Sequence, residues 1–149
     1  MPLATFPSPK KDPRFSFPNR FGLPDNLYQG IVKTSDFQIS SGTQLTEAAN
    51  IDTDAALGVN FYVTLTDNRN MSAPTNQYDW KVIRYYITQD AVGGRTLTWD
   101  AAFRFSTDIP SPTLTATGDF SDYIEFMYNP TYSKWDCVKI VQGFDSTPP

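Results

Sequence analysis

Two pairs of closely spaced carboxylates are the first candidates for chemistry: Asp52 with Asp54, and Asp119 with Asp122. On one face of a strand, the side chains of Asp52 and Asp54 would lie about 7 Å apart. That falls within the separation a pair of glycosidase carboxyls needs, provided a cleft holds the sugar and raises one pKa. Threonine and aspartate surround the pair, which suits a solvated edge better than a cleft. The same acids could hold Ca²⁺, but no D-x-D-x-D-G loop is present. The chain has no histidine, so Ser-His-Asp and Cys-His machinery and His-ligated zinc sites are excluded. Cys137, the only cysteine, sits in the alternating segment "KWDCVKIV" and reads as a packed thiol.

A glycine pair offers another candidate site in "ITQDAVGGRTLTWDAAFRF", residues 87–105. Gly93 and Gly94 do not follow the phosphate-loop patterns, because a strand rather than a helix comes next. With Arg95 they read as a hairpin connection that needs positive φ. Trp80, Trp99 and Trp135 could serve as sugar-stacking platforms, but each falls in a strand-like alternation that favours core or subunit-interface packing. These readings give no catalytic residue, no cofactor and no metal site, and the chain is not read as an enzyme.

The elements that would position these residues read as short strands. The chain has 149 residues, enough for one domain, and is 40% hydrophobic and 15% aromatic but only 19% charged. In "VNFYVTLTD", Phe61, Val63 and Leu65 alternate with Tyr62, Thr64 and Thr66, and Asp67, Asn68 and Asn70 follow as a turn. In "DWKVIRYYITQ", Trp80, Val82, Arg84, Tyr86 and Thr88 share one face, while Lys81, Ile83, Tyr85, Ile87 and Gln89 share the other. Both faces are largely apolar, so this strand is expected to be central and covered on both sides. "YQGIVKTSDFQI", "RTLTW" and "AAFRFS" add strands, "TQLTEAANIDTDAAL" reads as strand and loop, and "DIPSPTLTATGD" as a proline-rich loop with a short strand. "SDYIEFMYNP" and "SKWDCVKIVQG" form a final hairpin turning at Asn129, Pro130 and Thr131. Turn signals every 8 to 12 residues or so complete the pattern. The expected fold is all-β: a single antiparallel β-sandwich or barrel-like domain at 29–144, with an extended arm at 1–28 and a short tail at 145–149.

The arm has its own composition. It holds Pro2, Pro7, Pro9, Pro13, Pro18 and Pro24, six of the chain's 12 prolines. Proline fixes φ and removes a donor, so an extended polyproline-like strap is expected. Phe6, Phe15, Phe17, Phe21 and Tyr28 are too many aromatics for a solvated linker. Lys10, Lys11, Arg14 and Arg20 against Asp12 and Asp25 give the arm +2 (four minus two), which leaves −6 for the remainder of a chain of net −4. That charge argues against nucleic acid as a partner. No stretch approaches a membrane span, and the charged, proline-rich start does not read as a signal peptide. An extended chain with apolar anchors commonly binds in a groove of another protein.

The order of motifs resembles a β module of phage virion proteins, found in tail fibres and capsid-surface proteins. The likeness spans roughly residues 45 to 142. It runs through Asn68-Arg69, Pro74 and Asn76, Gln89-Asp90, Gly93-Gly94-Arg95, Trp99, then Asp122, Phe126 and Tyr128, and Trp135. The resemblance implies a homotrimer on the virion. With the arm beside it, it suggests a capsid decoration (cement) protein on the capsid surface. The partner would be the major capsid protein, clamped through Phe6, Lys10, Lys11, Arg14, Phe15, Phe17, Arg20 and Phe21. The alternative is a tail-fibre or receptor-binding tip that recognises a host glycan.

Overall fold

A computed structural model describes residues 42–147. The arm, with all of its proposed binding residues, and the strand expected at 28–39 lie outside the described residues. The described part contains nine strands: β1 (Thr43–Gln44), β2 (Asn50–Ile51), β3 (Asn60–Leu65), β4 (Arg69–Met71), β5 (Val82–Gln89), β6 (Leu97–Trp99), β7 (Phe103–Arg104), β8 (Phe120–Asn129) and β9 (Lys134–Asp145). Its helical content is a single 3-10 turn, Ala55–Leu57, capped by Asp54 Oδ1, which accepts from the Ala56 amide at 2.9 Å.

The all-β class holds, but the sheets are mixed rather than antiparallel. A six-stranded sheet runs β1-β3-β5-β8-β9-β7, and a three-stranded sheet runs β2-β4-β6. The chain alternates between them, with β1, β3 and β5 in the first and β2, β4 and β6 in the second. Each return to the first sheet is made through a strand of the second, so the chain re-enters in the same direction. The neighbours β1/β3, β3/β5, β2/β4 and β4/β6 are accordingly parallel. The result is a coil of three turns. The expected final hairpin is present: β8 pairs antiparallel with β5 on one side and β9 on the other, and β7 joins β9 in parallel.

The glycine pair must therefore be reassigned. Gly93 and Gly94 do turn the chain with positive φ, 74° each. The strands on either side do not pair, however, because β5 belongs to the first sheet and β6 to the second. The corner is closed by side chains instead. Gln89 is buried, its Oε1 accepts from the Arg95 amide at 2.8 Å, and its Nε2 donates to the Arg95 carbonyl at 3.0 Å. Asp90 Oδ1 accepts from the Gly93 amide at 2.9 Å, and its carboxylate holds the Arg95 guanidinium at 2.8 Å. The backbone of residues 116–118 packs directly on this corner, where Gly94 N–H donates to the Ala116 carbonyl at 2.8 Å.

Other corners stack on one another in the same way. Glu47, after β1, accepts from Thr66 N–H and from Arg69 Nε at the next corner, and Asn68 Oδ1 accepts from the Thr96 amide one turn further on. Asn70 is not a turn residue, as expected from sequence, but a strand residue. It pairs with Asn50 across β2/β4, and the two side chains bond at 3.2 Å. The expected short strand in 108–119 is absent, and that loop is instead pinned to the sheet by Asp122. Strand β9 continues through Asp145, and Ser146 N–H donates to the Asp119 carbonyl, so the ordered body runs past residue 144.

The core lies between the two sheets and is aromatic at its centre. Strict alternation buries Phe61, Val63 and Leu65 of β3 and Ile83, Tyr85 and Ile87 of β5, against Ile51 and Met71 of the smaller sheet. The ring of Tyr85 lies 6.0 to 6.4 Å from those of Phe61, Trp99, Phe103 and Phe126. Its hydroxyl donates to Thr53 Oγ1 at 3.0 Å, and burial pushes its pKa up. Trp135 is buried against Tyr128, as expected for a packing role, and Trp99 joins the central cluster. Trp80 does not lie in a strand, as its alternation suggested, and is not in the core: it sits in the turn before β5 with φ 61° and is 56% exposed.

Two predictions concern these contacts. A Cβ at Gly93 would come within 2.3 Å of the Ala116 carbonyl oxygen, whereas one at Gly94 meets nothing within 4 Å. Gly94→Ala should cost only the positive-φ penalty, roughly 1 kcal/mol, while Gly93→Ala adds a backbone clash and should cost at least about 3 kcal/mol. Urea unfolding of the two variants measures this difference, and equal losses would show that the corner is not docked as described. Tyr85→Phe keeps the ring but removes the donor to buried Thr53. It should lower stability in urea unfolding by roughly 1–3 kcal/mol while leaving the far-UV circular dichroism of the sheets unchanged.

Candidate functional site

The carboxylates singled out in the sequence serve as scaffold. Asp54 caps the 3-10 turn and accepts from Asn76 Nδ2 at 3.0 Å, while Asp52 is exposed beside it. Asp119 and Asp122 are not a working pair. Asp122 is buried and binds the proline-rich loop to the final hairpin: its oxygens accept from Thr115 N–H and Oγ1, each at 2.7 Å, and from Gly143 N–H at 3.0 Å. Asp119 sits in a turn with φ 60°. Arg104 makes a two-point contact with Asp136, at 2.6 and 2.7 Å, which ties β7 to β9, and its guanidinium lies over the ring of Tyr132. Cys137 is buried as expected, and burial pushes its thiol up to about 11, so it is not poised as a nucleophile. Among the described residues, no cluster of three or more His, Cys, Asp or Glu side chains could hold a metal ion.

The surface that stands out is the outer face of the six-stranded sheet. The sequence reading expected β5 to be covered on both sides. Its core face is buried, but on the other face Tyr86 is 41% exposed. Strand register arranges this outer face in rows. Tyr62, Tyr86 and Tyr123 lie side by side on β3, β5 and β8. One step along the strands, Asn60, Arg84, Glu125 and Lys139 form a charged and amide row. On the other side, Thr64, Thr88 and Ser121 form a hydroxyl row that ends at Phe144. Strands lie about 4.8 Å apart, so the tyrosine row covers roughly 10 Å.

Contacts within the face fix its geometry. The ring of Tyr86 lies 6.0 Å from both Tyr123 and Phe144. Tyr123 donates its hydroxyl to Glu125 Oε2 at 2.6 Å, and Arg84 Nε donates to the same oxygen at 2.7 Å. These two donors hold Glu125 below the usual carboxylate range, and partial burial raises Tyr123. Lys139 Nζ lies 5.8 Å from the centre of the Tyr123 ring. Thr88 and Ser121 share a hydrogen bond at 2.8 Å. A shallow depression of about 490 Å³ runs over the tyrosine row, bounded by Gly42 and Ser146.

Sequence reasoning put Tyr86 on a face expected to be covered, and so did not see the surface that it makes with Tyr62. The signal is a repeated triplet: N-x-Y-x-T in β3, R-x-Y-x-T in β5 and S-x-Y-x-E in β8. The first two repeat in the same order because their strands are parallel, and the third is reversed because β8 is antiparallel. Without the parallel pairing of β3 with β5, nothing brings the three triplets into register. No protein-family model, curated protein or solved structure matches this chain.

The Arg84–Glu125 contact yields a pH dependence. Because Glu125 has a lowered folded pKa relative to its ordinary 4.5, the unfolded chain takes up its proton first as pH falls. The stabilisation is complete above that ordinary value and is lost as pH drops through the folded one. The pair is partly exposed, so its contribution should be about 1 kcal/mol or less. The stability gap between the natural chain and Glu125→Gln should be present at neutral pH and close in acid. A gap of constant size across the titration would contradict the pairing.

Proposed function

We propose that this chain is a structural protein of a phage virion, a capsid decoration protein that assembles as a trimer and binds the major capsid protein through its N-terminal arm. The observation that carries the reading is how the body spends its functional groups. Asp54, Asp90, Asp122 and Asp136 all serve as internal acceptors, while the surface presents Tyr62, Tyr78, Trp80, Tyr86, Tyr132 and Phe144 to solvent. Such a body acts through contact. We read its two sheets, with the Tyr85 cluster between them, as a sandwich-like knob suited to a virion surface.

The motif order supports the same reading. Most of the residues that carry the likeness to phage β modules lie at corners or in the core, which is where a shared scaffold would keep them. The arm supplies the clamp: its prolines reduce the ordering cost of binding, its aromatics provide apolar anchors, and its cations meet capsid carboxylates. Trimerisation would multiply weak contacts of single arms through effective concentration.

Deleting residues 1–28 tests this directly. The truncated protein should remain a soluble trimer by light scattering but no longer bind capsids. Full decoration by the truncated protein would overturn the clamp. Copy number in purified virions separates this placement from the tail-fibre tip, because a decoration protein is present in many copies and a tail appendage in few.

A further inference from the structure

We infer that the tyrosine row on the outer face of the six-stranded sheet is a binding site for a pyranose saccharide. The inference rests on the face itself and holds wherever on a virion, or elsewhere, the chain is placed. Tyr62 and Tyr86 are 43% and 41% exposed, and they line a depression of about 490 Å³, within the range of roughly 300–1,000 Å³ typical of small-molecule sites.

The polar groups beside the rings distinguish a sugar from other occupants. Glu125 is held by two donors through Oε2 alone, one of them the Nε of Arg84. Among the described residues, no hydrogen bond engages Glu125 Oε1 or the Asn60 side-chain amide. The row thus offers acceptors and a donor that the protein leaves free. The Thr88 hydroxyl lies across the tyrosine row from it, bonded to that of the buried Ser121. A pyranose has the matching chemistry, with an apolar C–H face to lie on a tyrosine ring and hydroxyls at its edge that both donate and accept.

Two other occupants fit less well. An apolar protein surface would strip water from Arg84, Lys139 and Glu125 without replacing their hydrogen bonds, which is costly. A single-stranded nucleic acid could stack on the tyrosines, but the part of the chain beyond the arm carries −6 (−4 minus +2) and places a carboxylate in the row.

The test prints the full-length chain against an array of defined bacterial surface oligosaccharides, beside Tyr86→Phe, Tyr86→Ala and Tyr62→Ala. The natural chain should retain at least one pyranoside. Tyr86→Phe keeps the ring and should bind within a few-fold of it. Tyr86→Ala and Tyr62→Ala should each weaken binding about tenfold or more. Thermal unfolding confirms that each variant is folded, and Tyr62→Ala serves where Tyr86→Ala is not. Failure of the folded natural chain to retain any saccharide would overturn the inference. So would affinity unchanged in both alanine variants, or a self-associated chain whose dissociation on Tyr86→Ala is the only effect. None of these outcomes bears on whether the arm binds capsids.

Discussion

The two hydrogen bonds between the Gln89 side chain and the backbone of Arg95 are the contact on which the last turn of the coil depends. At this point the chain leaves the six-stranded sheet for the smaller one, and the backbone of Arg95 has no strand beside it. A buried, unpaired amide and carbonyl would each cost roughly 1–3 kcal/mol. Gln89 supplies one acceptor and one donor from a single side chain, in the arrangement that a neighbouring strand would provide. Asp90 then fixes the guanidinium of the same residue and caps the Gly93 amide. Once the corner is rigid, the loop at 116–118 can lie on it backbone to backbone, a closeness that only Gly93 and Gly118 permit. Asp122 secures the far end of that loop, so two side-chain acceptors hold the final hairpin to the coil.

Tyr85 couples this framework to the core. Its ring contacts both sheets, and its hydroxyl reaches Thr53 in the segment that follows β2. A phenylalanine would pack as well but would leave the buried Thr53 oxygen without its donor. The aromatic richness of the sequence is thus divided in two. Tyr85, Trp99, Phe103, Phe126 and Trp135 fill the space between sheets or behind the hairpin, whereas Tyr62, Tyr86 and Phe144 face outward. Alternation along β5 separates neighbours of the same type, Tyr85 inward and Tyr86 outward.

This division explains what could be read from the sequence. Period-two alternation identified β3, β5, β8 and β9 and grouped Phe61, Val63 and Leu65, and Ile83, Tyr85 and Ile87, on single faces, but on β5 it did not tell the buried face from the open one. The hairpin at Asn129-Pro130-Thr131 was equally legible, because its two strands are adjacent in sequence and joined by turn residues. Topology was not. A glycine pair between two strands has the same local chemistry whether the strands pair with each other or enter different sheets. What decides here is the partner of Arg95, and it is a side chain. Of the smaller sheet, β6 was legible in "RTLTW" but β2 and β4 carry no alternation long enough to detect, so the sheet they form together was invisible, and with it the parallel order of the first.

The same omission hid the tyrosine face. Each of its strands reads as ordinary half-polar alternation, and one exposed tyrosine per strand needs no explanation. Parallel registration of β3 with β5, followed by antiparallel addition of β8, turns three unremarkable positions into one continuous surface with like residues in rows. Exposed aromatic rows on a sheet invite association, and this face counters that tendency with Arg84, Glu125 and Lys139 immediately beside the rings. Those charges keep the face hydrated in the absence of a partner. They also require any partner to replace the water they hold with hydrogen-bonding groups of its own, set beside an apolar face that meets the rings.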